Sequence, residues 1–210
     1  MYARELFSVK SEWPFHDYFS LDESPIFWIK KIGASILEKI KLQNKGRAQF
    51  PSGCYIGENV FIDESVKFPP ICVIEGPAYI GKNTTIRPFA YIRENVIVGD
   101  NCVIGNSTEI KNSILLDNVQ VPHFNYVGDS VLGNFVHLGA GAICANLRLD
   151  KKPVTSKFGD EKFATNLKKM GAIIGDYSEI ACNVVLNPGT ILPKHSKVLP
   201  ATYKVIPQHV

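Results

Sequence analysis

Three side chains in the middle of the sequence are of types that carry chemistry: His123, Arg93 and Lys111. Imidazole titrates close to neutral pH, so a histidine can take up or release a proton during a reaction. An arginine can fork onto two oxygens of a phosphate, and a lysine adds a point charge. A lone histidine is more often a surface or core residue, and two cations can be unrelated. These residues therefore need a scaffold that brings them together.

The sequence around them repeats every six positions. From Ile56 to Leu116, every sixth residue is large and apolar, without exception. A second set, four residues further on, is mostly small or β-branched, as at Cys72 and Thr84, and turn-forming residues such as Gly81-Lys82-Asn83 recur between the two sets. A large inward residue, a turn and a small inward residue predict a short strand followed by a corner. Three such units close a triangular coil, and stacked coils bury a continuous column.

The predicted fold class is therefore all-β, a parallel β-helix of hexapeptide repeats with an N-terminal α-helical segment. Arg93 and Lys111 are eighteen residues apart, which is one full coil. We expect them to stack on the same edge of the triangular prism.

Residues 1–50 do not follow the period of six and hold both tryptophans. After Asp22-Glu23-Ser24-Pro25, apolar residues trace one face of a predicted helix that runs to about Leu42, before the breaker Asn44-Lys45-Gly46. We expect this segment to cap the open end of the β-helix or to dock on a neighbouring subunit. A separate partner-binding or membrane-surface role is the alternative.

Residues 51–200 are assigned to the β-helix domain, and residues 201–210 to a tail that packs on the last coil. The apolar spacing slips by one between Leu116 and Val127, which predicts an irregular coil, and sites tend to be built at such places. Residues 147–171 are too polar to enter the column and predict an extruded loop or ribbon. A plain solvated loop is the alternative.

Composition narrows the function classes. A net charge of +3 without an arginine-rich run gives no support for nucleic-acid binding. No apolar stretch of membrane-spanning length and no signal-peptide pattern occur, so we expect no membrane role and a cytoplasmic location. The five cysteines form no CxxC pair, and Cys54, Cys72 and Cys102 fall on the small inward positions, as expected of core residues in a reducing compartment.

Two stretches, IRPFAYIREN (86–95) and EIKNSILLDNVQVPHFNYVGDSVLGNFVHLGAGAICANLRLDKK (109–152), carry a family resemblance. They resemble the acetyltransferase domain of the bifunctional N-acetylglucosamine-1-phosphate uridylyltransferase/glucosamine-1-phosphate acetyltransferase, including archaeal sugar-1-phosphate versions. The specific motif is HxxYxGD followed by GAG and an asparagine. The resemblance implies a left-handed β-helix, although the usual preference for right-handed crossovers would point the other way.

By this resemblance, His123 is the general base that takes a proton from a sugar amine as the amine attacks the thioester of acetyl-CoA. Glu109 matches a carboxylate near the base and is expected to orient the imidazole. Asn146 and Tyr126 match positions that touch the sugar and the acetyl group. Arg93, Lys111 and, from the extruded loop, Lys152 match contacts to the sugar phosphate. The residues expected to bind the substrate are Arg93, Lys111, Tyr126, His137 and Lys152.

The acetyl-CoA side is expected along the backbone of Gly139-Ala140-Gly141, where small residues allow close approach, and at Ala181 and Cys182. Charge alone suggests Lys168 and Lys169 for the phosphates of the cofactor. The resemblance also implies a homotrimer with its sites between subunits, and a reaction that requires no metal.

Two departures from the family stand out. His137 occupies the position of a family asparagine that contacts the sugar, so the acceptor can differ from glucosamine-1-phosphate. The sequence has no Gly-rich GxGTR-like loop, so synthesis of nucleotide sugars is not expected.

Three alternatives stay open at this point. The first is a non-catalytic β-helix scaffold or trimerisation module, and the second is acyl transfer to another sugar acceptor. The third, a metal-dependent hydratase, would need three converging histidines.

Overall fold

The computed structural model describes residues 1–42 and 49–200, and it confirms the predicted left-handed parallel β-helix with a short N-terminal helix. The breaker at 44–46 and the tail 201–210 lie outside the described residues. Helix α1 spans Trp28–Leu42. The strands are β1 (Gly53–Ile56), β2 (Val60–Ile62), β3 (Ile71–Ile74), β4 (Ala78–Ile80), β5 (Thr85–Ile86), β6 (Tyr91–Ile92), β7 (Val96–Val98), β8 (Val103–Asn106), β9 (Glu109–Lys111), β10 (Ser113–Leu115), β11 (Gln120–His123), β12 (Tyr126–Gly128), β13 (Val131–Leu132), β14 (His137–Leu138), β15 (Ile143–Cys144), β16 (Thr155–Phe158), β17 (Glu161–Ala164), β18 (Ala172–Ile174), β19 (Glu179–Ile180), β20 (Val185–Leu186), β21 (Thr190–Leu192) and β22 (Lys197–Val198).

Three parallel sheets form the flat faces of the prism. Face A has the order β1-β3-β6-β9-β12-β15-β20, face B has β2-β4-β7-β10-β13-β18-β21, and face C has β22-β19-β14-β11-β8-β5. The chain passes from A to B to C in each coil, so the edges are named A–B, B–C and C–A. Equivalent residues of successive coils pair directly, as Ile92 does with Ile110 and Ile110 with Val127.

The column inside the prism is built from the large and small apolar sets, with Ile74, Ile92 and Ile110 fully buried. Corner residues often have a positive φ, and asparagine is the commonest residue type among them, as at Asn83 and Asn101. Asparagine tolerates this left-handed conformation better than most residues with a Cβ. The same residue pattern therefore fills the core and turns the corners.

The predicted position of the spacing slip is wrong. Leu115, not Leu116, pairs with Val98 and faces the column, so the step from Ile110 is five residues rather than six. A second five-residue step runs from Val127 to Leu132. The shortened turns therefore lie on the A–B edge, and the steps through 121 are regular.

The misplacement has a packing reason. Ile114 and Leu116 point outwards and belong to a second apolar cluster, where the N-terminal segment covers face B. The small inward position expected at Ile114 is held by the buried Ser113. Because the inward and the outward residues of this strand are all apolar, the sequence pattern alone could not show which of them face the column.

The N-terminal segment does not cap the open end of the prism. Residues 1–42 lie along face B, where α1 contacts β4, β7 and β10. Phe15 packs edge-on against Tyr79 at 5.0 Å between ring centroids, and Trp28 is fully buried. Face B is thus an internal interface of the chain.

The stretch 147–171 contains a ribbon, which is one of the two forms predicted for it, an extruded loop or a ribbon. Its strands β16 and β17 form an antiparallel hairpin that projects at the A–B edge between β15 and β18. Val154 and Met170 are fully buried in the same apolar cluster as the N-terminal segment. The ribbon is therefore anchored at its base.

Replacing Trp28 by alanine is expected to lower the free energy of unfolding by about 3–5 kcal/mol, because a fully buried indole would leave a cavity between α1 and face B. Chemical denaturation measures this change. The matched control is Phe27→Ala, since the Phe27 side chain is 54% exposed, and this variant should stay within about 0.5 kcal/mol of the original protein. Equal effects of the two substitutions would mean that the segment does not pack as described.

Candidate active site

The A–B edge carries the two predicted cations in register. Arg93 follows β6 and Lys111 ends β9, and the pairing of Ile92 with Ile110 places them in neighbouring coils. Their side chains are 32% and 14% exposed. The stacking expected from the spacing of eighteen residues is therefore present.

Two carboxylates accompany these cations. The Arg93 guanidinium donates a hydrogen bond to Glu109 Oε1 at 3.0 Å, and this bond raises the pKa of Arg93. Glu94 lies near both cations, with its carboxylate 3.4 Å from Arg93 Nε and 3.6 Å from Lys111 Nζ. Glu109 was expected to orient the imidazole of His123, but in this chain its carboxylate holds Arg93 instead.

A polar cluster next to Lys111 joins three successive coils. Asn146 Nδ2 donates to Asp129 Oδ2 at 2.5 Å and to the Tyr126 hydroxyl at 3.2 Å, and Asn112 Nδ2 donates to Asp129 Oδ1 at 2.8 Å. A Cβ at Gly128 would come within 2.7 Å of Asn146 Nδ2, so only glycine permits this approach. The predicted pair Tyr126 and Asn146 thus meets beside the cations.

The Tyr126 hydroxyl is protonated at neutral pH. Burial and the nearby carboxylates of Glu109 and Asp129 raise the pKa of Tyr126. It can therefore accept from Asn146 and still donate its own proton to a ligand on face A.

His123 ends β11 on the C–A edge, and its side chain is exposed rather than turned into the column. The backbone of this corner is fixed by the buried Asn125, whose Oδ1 accepts from the His123 N–H at 3.1 Å and whose Nδ2 donates to the Gly139 carbonyl at 2.8 Å. The Gly141 N–H in turn donates to the His123 carbonyl at 3.0 Å. The imidazole is free to act on a molecule outside a rigid corner.

The predicted cofactor residues follow His123 along the same edge. Leu138 pairs with Ile180, so Gly139-Ala140-Gly141 stacks directly beneath Ala181 and Cys182. A Cβ at Gly139 would lie 2.6 Å from the Cys182 nitrogen, which shows how closely the two coils approach. Small residues leave this strip of the edge flat.

Only one of the five cysteines should react with a thiol reagent in the native protein. Cys54, Cys72, Cys102 and Cys144 are buried, and burial raises the pKa of Cys72, Cys102 and Cys144 to about 12, so these thiols stay protonated and unreactive at neutral pH. Cys182 is exposed. We expect one label per chain by mass spectrometry, and slower labelling when acetyl-CoA is present.

The control for this prediction is Cys182→Ser, which should take up no label. Protection of Cys182 by acetyl-CoA would support a cofactor site on the C–A edge. Labelling that acetyl-CoA leaves unchanged would place the cofactor elsewhere.

In the part of the chain that the structure describes, no hydrogen bond or ion pair joins His137 or Lys152 to the cluster at the A–B edge. His137 is on face C, where its Nδ1 is 2.9 Å from Glu179 Oε2, and it lines a cavity of about 340 Å³ beside Phe135 and Tyr177. Lys152 is exposed, and its backbone N–H donates to Asp150 at 3.2 Å. That cavity lies on face C towards the B–C edge, whereas His123 ends β11 at the C–A edge and the two cations lie at the A–B edge.

The histidines of the β-helix do not converge on one metal site in the described residues. His195 stacks on Tyr177 at the B–C edge, so it, His123 and His137 occupy three different positions around the prism. In residues 1–42 and 49–200, no group of three or more His, Cys, Asp or Glu side chains is arranged to hold a metal ion. No helix in these same ranges is long and apolar enough to cross a membrane.

Two residues at the A–B edge, Asp129 and Glu94, were not among the site residues predicted from the sequence. Asp129 orients Asn146, and its signal was the conspicuous Gly-Asp at the end of HxxYxGD. Glu94 contacts both cations, and its only signal was its position next to Arg93.

Comparison with known proteins gives one family match. The family model described as "GMPPB C-terminal domain" matches residues 73–201. This range begins at β3 and contains His123, both cations and the small-residue strip.

Curated relatives match the same part of the chain. The bifunctional protein GlmU of Methanococcus vannielii is 41% identical over 138 residues, covering 66% of this chain and 33% of the relative. The bifunctional sugar-1-phosphate nucleotidylyltransferase/acetyltransferase of Sulfurisphaera tokodaii is 35% identical over 151 residues, covering 66% of this chain and 38% of the relative. The chain thus spans about a third of the length of the curated relatives it matches.

A solved structure agrees on the fold. The UDP-N-acetylglucosamine acyltransferase of Francisella novicida superposes with a TM-score of 0.52 at 20% identity, covering 72% of this chain and 56% of that protein. At this identity the likeness concerns the fold alone.

Proposed function

The chain belongs to the family of the GMPPB C-terminal domain, and from its site and its relatives we propose that it is an acetyl-CoA-dependent N-acetyltransferase that acts on an amino-sugar phosphate. One observation carries the proposal: face A is bordered by an exposed imidazole on one edge and by two stacked cations on the other. The names of the relatives from Methanococcus and Sulfurisphaera support the same chemistry.

The proposed reaction is a direct transfer. An ammonium group has no lone pair, so His123 first takes a proton from the sugar amine. The amine nitrogen then bonds to the thioester carbon, a backbone N–H at the C–A edge stabilises the oxyanion, and the C–S bond breaks. The imidazolium returns the proton to the leaving thiolate, so CoA departs as a free thiol, and the second proton of the attacking nitrogen passes to solvent as the amide forms.

The phosphate of the acceptor would bind at the A–B edge. Arg93 is held in place by Glu109, so its remaining donors are oriented before the ligand arrives, and Lys111 adds a second positive charge one coil away. The Tyr126 hydroxyl and the Asn146 amide would contact the sugar between phosphate and amine.

A homotrimer would complete the site. Face B is covered by the N-terminal segment of the same chain, which leaves faces A and C for neighbours. Packing face C of one copy towards face A of the next is a heterologous contact that closes into a ring. It would bring His137 of one chain towards the cations of another, and Lys152 could approach from the ribbon.

His137 favours a second class of acceptor, an amino sugar other than an amino-sugar phosphate. Its Nδ1 is paired with Glu179 Oε2 at 2.9 Å, and the two cations of the A–B edge are matched by carboxylates. Acetyl transfer to another amino sugar would use the same base and the same cofactor.

The scaffold alternative gives no role to the exposed His123. A cytoplasmic location remains a prediction.

The test follows free thiol released from acetyl-CoA with a panel of amino-sugar phosphates and the corresponding unphosphorylated amino sugars. We expect release with at least one phosphorylated amino sugar and much slower release with its unphosphorylated form. Equal release with both would favour the second acceptor class. No release with any acceptor would favour the scaffold and contradict the proposed function.

A further inference from the structure

The Glu94 carboxylate lies between the two cations of the A–B edge. Its Oε2 is 3.4 Å from Arg93 Nε, and its Oε1 is 3.6 Å from Lys111 Nζ. Two oxygens of one phosphate would adopt the same arrangement between these residues. The side chain that occupies the proposed phosphate subsite therefore belongs to the protein itself.

The two carboxylates hold Arg93 in different ways. Glu109 makes a true hydrogen bond at 3.0 Å, whereas the contacts of Glu94 are longer than hydrogen bonds normally are. Arg93 Nε is buried and has no hydrogen-bond partner in the part of the chain that the structure describes. A buried donor left in this state is costly, so it favours an incoming acceptor atom.

On this basis, and resting on the proposed function, we propose that Glu94 is a specificity-determining residue of the acceptor site. In the free protein it takes the place of the acceptor phosphate, and the phosphate must displace it to reach Arg93 and Lys111. Glu109 stays with Arg93 and keeps the guanidinium oriented.

The displaced carboxylate still acts on the ligand, because it remains charged and close by. Partial burial acts to raise the pKa of Glu94, but a backbone hydrogen bond and the charges of Arg93 and Lys111 outweigh it, so the pKa lies below its ordinary value. Glu94 is therefore ionised throughout the pH range in which a phosphate monoester titrates. It repels a phosphate dianion about twice as strongly as a monoanion, because Coulomb energy scales with charge.

The experiment measures binding of glucose-1-phosphate by calorimetry to the protein and to its Glu94→Gln variant. This probe carries a phosphate monoester but no amine, so it cannot be acetylated. A phosphate monoester is mostly dianionic at about pH 7.5 and mostly monoanionic at about pH 5.5, since its second pKa is about 6. We expect Glu94→Gln to tighten binding about tenfold at the higher pH and about threefold at the lower pH, as partly exposed charges allow.

Two controls locate the effect. Glu64→Gln removes the same charge from an exposed residue next to the B–C edge and should leave the affinity unchanged. In a protein that already carries Arg93→Ala, the further change Glu94→Gln should no longer tighten binding, because the gain needs that guanidinium.

Unchanged or weaker binding in Glu94→Gln would overturn the inference, as would an equal gain at both pH values or no binding by either protein. Failure of the proposed function looks different. In that case Glu94→Gln would still bind the probe more tightly, while no amino-sugar phosphate would release thiol from acetyl-CoA.

Discussion

Replacing His123 by alanine is expected to lower kcat for acetyl transfer about a hundredfold or more, while binding of acetyl-CoA stays near its original strength. The side chain is exposed at a corner that Asn125 holds, so its removal should leave the fold and the neighbouring strip intact. Without the imidazole, the sugar ammonium must lose its proton to water. The measurement is steady-state thiol release with the best acceptor, together with calorimetric binding of acetyl-CoA.

The pH profile separates a base from a merely structural histidine. A general base acts only when it is unprotonated, so the activity of the original protein should have a limb that falls towards low pH, and this limb should be missing from the residual activity of His123→Ala. His16→Ala, at another exposed histidine, should keep both rate and profile. Rates like those of the original protein in His123→Ala would remove the proposed base.

Replacing Arg93 by alanine is expected to raise the KM for the acceptor about tenfold to a hundredfold, since hydrogen bonds to charged groups contribute about 1.5–3 kcal/mol. The KM for acetyl-CoA should change little, because Arg93 lies on the A–B edge and the cofactor strip on the C–A edge. Varying each substrate in turn measures the two values.

The matched control for the second prediction is Lys82→Ala, an exposed cation next to the B–C edge, which should change neither KM. Arg93→Lys should fall between the original protein and Arg93→Ala, because lysine keeps the charge but cannot fork onto the phosphate. A larger effect on acetyl-CoA than on the acceptor would mean that the two sites were assigned to the wrong edges.

The fold was predictable because period six is a constraint on every coil. A large apolar residue at every sixth position, as at Ile92 and Ile110, fits neither the period of an ordinary strand nor that of a helix. The location of the short turns was not predictable. Leu115 and Leu116 are both apolar, and only the covering of face B by residues 1–42 explains why the second one is.

The position of that segment also escaped prediction. Trp28 and its aromatic neighbours signal a buried cluster, but the surface they cover is face B of the same chain, formed by residues far along the sequence. Non-local packing of this kind leaves no spacing signal.

At the site, the sequence predicts what the coil repeat controls. The spacing of Arg93 and Lys111 gave their stacking correctly. It could not give the partner of Glu109, because the direction in which a long side chain turns depends on the charges around it. Asp129 was missed for a similar reason, since its contacts with Asn112 and Asn146 join three coils.

The most direct test of the account is a crystal structure with glucosamine-1-phosphate and CoA bound. We predict phosphate oxygens within hydrogen-bond distance of Arg93 and Lys111, with Glu94 displaced, and the sugar amine within reach of the His123 ring. A sugar phosphate bound beside Phe135 and Tyr177, or an amine remote from the imidazole, would contradict the account.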